Sequence, residues 1–162
     1  MTKSKRVLLS IILRLLAFGA TVAAMVVMVT SHDSAQVLNL TFTAKYSNDP
    51  VFKYFVIAEG IASAYSLIVL LITCSQNSLW RLILILDLVI AMLLTSSISA
   101  AVAIAHVGKK GNSHAGWLPI CGQVPKFCDH VSGALIAGSI APILYLLIVL
   151  SSMHSVITHL FL

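Results

Sequence analysis

The stretch WRLILILDLVIAMLLTSSISAAVAIA, residues 80–105, decides the fold, because beyond Arg81 at its edge it carries one charge, Asp87, inside an otherwise uncharged apolar run. A run of this length crosses a hydrocarbon core about 30 Å thick, which needs about 20 apolar residues as a helix. A carboxylate there costs roughly 2.5–3.5 kcal/mol, so it must face a partner or a water-filled cavity. The best available partner is Arg14, which interrupts the first apolar run. Each charge lies about seven residues into its segment, or about 10 Å at 1.5 Å per residue. In a four-pass chain the first and third helices run the same way, so Arg14 and Asp87 are expected to meet at one depth. Glu59 enters from the opposite side and is expected in the other leaflet, outside that pair.

Composition agrees with a membrane protein. Of 162 residues, 59% are hydrophobic and 9% charged, and the mean hydropathy is +1.03. A soluble domain carries about 25% charged residues. The expected fold is all-α: one domain over residues 1–162, a four-transmembrane-helix bundle with short loops and spans near 7–30, 54–74, 80–105 and 131–153. The first run is too long for the 7–15-residue core of a cleaved signal peptide, and it is read as a retained helix and signal anchor. Loop two, Ser75 to Leu79, is short enough to make the second and third helices an antiparallel hairpin. Trp80 and Arg81 then suit the interface, as an amphipathic ring and a snorkelling guanidinium.

The net charge of +5 and the isoelectric point near 9.3 do not point to nucleic acid. Lys3, Lys5 and Arg6 abut the first span, and the rest are scattered, which is the pattern of membrane-surface charge. No Arg-rich patch is interleaved with aromatics. Lys and Arg outside the spans divide four against five between the two sides, so the positive-inside count does not fix orientation. The dense basic cluster at the first helix, the sequon and the loop cysteines place both termini in the cytoplasm.

Small and hydroxyl residues recur along three spans: Ser10, Arg14, Ala17, Thr21 and Ala24; Asp87, Ala91, Thr95, Ser99 and Ala103; Gly133, Ala137 and Ala141. Membrane helices place such residues between them to allow close backbone approach. Pro142 is expected to kink the fourth helix or to leave a carbonyl for a neighbour to satisfy. In loop one, Asn39-Leu40-Thr41 is an N-glycosylation sequon that matters only on the lumenal side, and Thr41 to Tyr46 reads as a short extended piece. The Gly and Pro content of loop three, Val107 to His130, indicates turns, and His154 to Leu162 reads as a short tail. Cys121 and Cys128 share loop three with six residues between them. In an extracellular loop they read as a local disulfide. Zinc with His114 and His130 departs from common ligand spacings, and free thiols are the third reading. Cys74 reads as a packing cysteine or a palmitoylation site.

No paired carboxylates, Gly-rich phosphate loop, metal motif or nucleophile beside a base appears, so neither an enzyme nor a cofactor or metal is expected. For Arg14 and Asp87 a proton or ion relay needs further titratable groups along the path. Between Asp87 and the far side stand only Thr95, Ser96, Ser97 and Ser99; Glu59 would extend the path only if its helix turned it inward, and the pair reads as structural.

Arg14, Asp87, the stretch Ala58-Glu59-Gly60-Ile61-Ala62-Ser63-Ala64-Tyr65 and the loop from Gly111-Asn112-Ser113-His114-Ala115-Gly116-Trp117 through Cys121 to Cys128 together resemble the plant Casparian strip membrane protein-like (CASP-like) family, group 1, a MARVEL-related tetraspan group. The resemblance covers nearly the whole chain. It implies four plasma-membrane helices, cytoplasmic termini, and homo- and hetero-oligomers with relatives that assemble into a scaffold in the lipid bilayer. In the founding members that scaffold recruits cell-wall-modifying proteins. Those members carry an extra signature in the first extracellular loop, which Asn39 to Lys53 does not resemble. The expectation is therefore a self-associating membrane scaffold, with a pore-forming or flux-modulating channel subunit as the alternative.

Overall fold

In a computed structural model the described residues are 3–37, 40–73 and 80–161. Four helices carry the chain: α1 (Lys3–Val29), α2 (Pro50–Thr73), α3 (Trp80–Lys110) and α4 (Pro125–Phe161). All four contain segments long and apolar enough to cross a membrane, Leu8–Val29, Pro50–Ile72, Arg81–Lys110 and Pro125–Met153. Each helix packs on its sequence neighbours, and α1 packs on α4, so the bundle closes as a ring. α1 and α3 therefore face each other across one diagonal, and α2 and α4 across the other.

The helices outrun the apolar runs at the loop end. α3 continues to Lys110 and α4 begins at Pro125 instead of near residue 131. Proline is favoured at the first helical position because its fixed φ suits the helix and its missing N–H would have no partner there. Apolar content marks the span within hydrocarbon, whereas helical hydrogen bonding runs on past it. The same applies at the other end, where α4 extends through residues 154–161, read from sequence as a tail. α4 is also unbroken at Pro142; the carbonyl of Gly138 loses its helical donor there.

Between α1 and α2 lies a hairpin, β1 (His32–Val37) antiparallel to β2 (Leu40–Lys45), with His32 opposite Lys45 and Val37 opposite Leu40. The sequence suggested only the second strand, since HDSAQV lacks the β-branched alternation of LTFTAK. A 3-10 turn (Tyr46–Asn48) leads to Asp49, whose carboxylate accepts the Val51 N–H at 2.7 Å and caps α2. Between α3 and α4, Asn112 and Trp117 exchange two backbone hydrogen bonds of 2.8 and 2.9 Å. Gly111, at φ 69°, starts this turn, where an added Cβ would lie 2.6 Å from the Trp117 carbonyl oxygen. The Gly108 carbonyl then accepts the Ile120 N–H at 2.9 Å, stitching the loop to the end of α3.

The bundle interior interleaves small residues with large ones such as Phe55, Leu94 and Tyr145, whereas many large apolar side chains face outward. On α1, Arg14, Ala17, Thr21, Ala24 and Met28 are all buried; their alternating steps of three and four stay close to the 3.6-residue turn and hold one face. On α3 the four-residue stripe fails. Each step of four advances about 400°, so the stripe drifts about 40° per step. Asp87 and Ala91 are buried, but Thr95, Ser99 and Ala103 have rotated outward, replaced inside by Leu94, Ser97, Ile98 and Ala101. On α4 the same drift leaves Gly133 exposed, and the core face is Ala134, Gly138, Ala141 and Tyr145. Ile57, Leu71, Met92 and Ile136 point outward, as expected where the solvent is hydrocarbon.

Gly138 sets the approach of α4 to α2. A Cβ there would lie 2.8 Å from Glu59 Oε1 and 2.9 Å from the Phe55 ring, whereas a Cβ on Gly133 meets nothing within 4 Å. Gly138→Ala is expected to cost about 1–3 kcal/mol by overpacking, and Gly133→Ala less than about 0.5 kcal/mol. Thermal unfolding in detergent tests this, and equal effects at both positions would count against the packing.

Candidate functional site: an intramembrane polar cluster

Arg14 stands two turns inside the span segment of α1 and Asp87 two turns inside α3. The parallel helices bring them level, and the structure joins them across the diagonal. Arg14 Nη1 donates to Asp87 Oδ1 at 2.9 Å and Nη2 to Oδ2 at 2.6 Å, with both residues buried. A planar guanidinium facing a planar carboxylate makes two parallel charge-assisted bonds, the geometry lysine cannot supply.

Tyr65 of α2 adds a third donor. Its hydroxyl donates to Asp87 Oδ1 at 2.8 Å and has the Ile83 carbonyl within 3.1 Å. Beside it, 6.3 Å between ring centroids, lies Tyr145 of α4. The Tyr145 hydroxyl donates to the Ala62 carbonyl at 3.1 Å and sits 2.6 Å from Ser66 Oγ, so Ser66 is the donor in that contact. The second diagonal, α2 to α4, is thus tied by neutral hydroxyls at the level where the first is tied by charge. All four helices contribute to one cluster. Its carboxylate oxygens and guanidinium arms are occupied, which suits holding helices together more than turning over a substrate.

The sequence pairing of Arg14 and Asp87 finds both residues at this cluster. Tyr65, Tyr145 and Ser66 were not singled out as site residues. A phenol in the middle of an apolar run is the signal that reveals them, because a buried O–H needs an acceptor. Glu59 does not join the cluster. It is fully buried against Phe55 and Gly138, and neither carboxyl oxygen has a hydrogen-bond partner among the described residues.

At the loop end Cys121 and Cys128 form a disulfide with a Cα–Cα distance of 5.7 Å. It ties the loop to the first turn of α4. His130 is turned away to the Lys126 carbonyl, with Nδ1 at 2.8 Å, and the His114 backbone N–H donates to Asn112 Oδ1. Asn39 and Cys74 lie outside the described residues.

Removing one member of a buried pair costs about 3–5 kcal/mol because the other charge is left unpaired. Arg14→Met and Asp87→Leu are each expected to lower stability in detergent by that amount, and the double variant by less than either. Simple additivity would sink the pairing. Glu59→Met keeps the volume and removes an unsatisfied buried polar group, with an expected gain of about 1–3 kcal/mol; a loss would show that the carboxyl has a stabilising partner.

Residues 3–144 match the Casparian strip membrane protein domain. The chain is 65% identical over 152 residues to CASP-like protein 1C2 of Ricinus communis, covering 94% of this chain and 92% of that one. It is 59% identical over 157 residues to CASP-like protein 1C1 of Vitis vinifera, covering 97% and 98%. Against CASP-like protein 1C1 of Arabidopsis thaliana it is 56% identical over 147 residues, covering 91% and 89%. No solved structure matches it. With a domain match across its four-helix bundle and relatives aligned over more than nine-tenths of its length, the chain belongs to the CASP-like family, group 1.

Proposed function

We propose that the protein is a non-enzymatic plasma-membrane scaffold that associates laterally with copies of itself and with related family members, and so organises a membrane subdomain. The observation that carries this reading is that the Casparian strip membrane protein domain takes in nearly the whole chain. A polar cluster with its charges mutually occupied supports a bundle of fixed shape. Fixed shape matters to a scaffold because association then orders no further backbone.

Lateral contacts fall to the lipid-facing helix surfaces and the loops. One such surface is the outer face of α3, where Thr95, Ser96 and Ser99 lie exposed. Thr95 and Ser99 donate to their own helix at 2.7 Å, and Ser96 Oγ accepts from Tyr54 at 3.4 Å. Hydroxyls so occupied present a small, nearly neutral surface that a second helix can approach. The disulfide suits an oxidising compartment, so the loop end faces outward and both termini face the cytoplasm. Partners that modify the cell wall would then meet the hairpin and the disulfide loop.

The test is fluorescence recovery after photobleaching of the tagged protein in a plasma-membrane patch of plant cells. A scaffold leaves the patch dark, and Ser96→Leu or Ser99→Leu restores part of the mobility. Rapid recovery of the unaltered protein would overturn the reading. Ion leak from liposomes containing the purified protein, above that of empty liposomes, would favour a flux-modulating subunit instead.

A further inference from the structure

Glu59 stands near the middle of its membrane-crossing segment, Pro50–Ile72, about 13 Å from the loop end at 1.5 Å per residue. It is fully buried, and neither Oε1 nor Oε2 has a hydrogen-bond partner among the described residues. α4 comes to it directly. A Cβ on Gly138 would lie 2.8 Å from Oε1, and the buried Phe55 ring fills the same space, 2.9 Å from that Cβ. Gly138 is also the residue whose carbonyl Pro142 deprives of a helical donor. On this side the carboxyl meets an acceptor and no free donor.

The ionisable groups on the surrounding helices are committed elsewhere or lie far off. On α4 the Tyr145 hydroxyl, two turns further along, is engaged by Ala62 and Ser66. On α2, Tyr65 donates to Asp87, and Lys53 is exposed toward the loop end. α1 presents Met25 to Gly60, and its buried cation, Arg14, is held by Asp87 of α3. His106, Lys109, Lys126, Asp129 and His130 are exposed at the loop end. A carboxylate in hydrocarbon without countercharge or donors is far costlier than the neutral acid, so a carboxyl placed here takes up a proton.

We propose that Glu59 is a proton-binding site that latches the α2–α4 diagonal. The neutral carboxyl lies closed against Gly138. Loss of the proton leaves a charge that needs donors the packed state lacks, and α4 parts from α2 until water supplies them. The step is an acid dissociation: the O–H bond breaks, its electron pair stays on the carboxylate, and the proton passes to water. Acid therefore closes the latch and alkali opens it. The site is separate from the Arg14–Asp87 pair and stands whether or not copies associate.

Two readings on the full chain in phosphatidylcholine bilayers test this. Infrared spectra report the proton, through the C=O stretch of an un-ionised carboxyl that Glu59→Gln removes. That band is expected at full strength at about pH 7, where a solvated glutamate keeps its proton in only about one molecule in five hundred. Spin labels report the latch, attached at Ile57→Cys and Ile140→Cys, positions exposed on α2 and α4. Cys74→Ala leaves no other free thiol beside the Cys121–Cys128 bond. As pH rises toward about 10, the band is lost and the label separation grows in step by about 3 Å, one hydrogen-bonded water layer. Glu59→Gln and Glu59→Met, neutral at every pH, hold the short separation throughout. A band missing at about pH 7 would overturn the proton site. A band that outlasts about pH 10, or a separation that stays short as the band is lost, would overturn the latch. So would an equal lengthening in both neutral variants, which would assign the movement to other groups.

Discussion

A carboxylate and a guanidinium in hydrocarbon must find each other, because neither has water to fall back on. In this chain that demand fixes the rotation of two helices at once. Arg14 meets Asp87 only if α1 and α3 both turn those faces inward at the same depth, and the two hydrogen bonds of 2.9 and 2.6 Å leave little rotational slack. Once those faces are set, Tyr65 and Tyr145 are carried by α2 and α4 into the same layer, and their hydroxyls close the remaining ties. The cross-helix hydrogen bonds between buried side chains gather at this one level of the core. Such an arrangement specifies register more sharply than apolar packing alone, since a slip of one turn separates charge from countercharge.

Away from that layer the core depends on small side chains. Ala17, Ala24, Ala58, Ala62, Ala134 and Ala141 are buried, which lets the backbones approach and gain dispersion contacts where no hydrophobic drive between helices exists. Gly138 is the extreme case, since Glu59 and the Phe55 ring occupy the space a methyl group would take. Glu59 is then a burden on the fold, buried without a hydrogen bond. Groups retained at such cost are the ones whose removal is most informative.

The loop end is ordered by different means. There the chain leaves the hydrocarbon and must satisfy its own backbone. It does so with a strand hairpin, an aspartate cap on α2, an asparagine-anchored turn and the Cys121–Cys128 bond. These devices hold five separate segments around one cavity. A tethered loop keeps Trp117 and Leu118 at the boundary where amphipathic and apolar groups are favoured.

The number of spans was determined by the sequence alone, because long apolar runs have no stable place except the bilayer. So was the pairing of Arg14 with Asp87, because two intramembrane charges of opposite sign at equal depth in parallel helices leave one economical solution. The α1 stripe was legible for the same reason: its steps of three and four follow the helical turn. The stripes on α3 and α4 were misjudged because a repeat of four slides around a helix of 3.6 residues per turn, and only packing shows where it leaves the core. Helix ends past the apolar runs, the first strand of the hairpin, the roles of Tyr65 and Tyr145, and the burial of Glu59 were decided by tertiary structure. Each depends on which surfaces the four helices turn toward one another, and no single stretch of sequence carries that information.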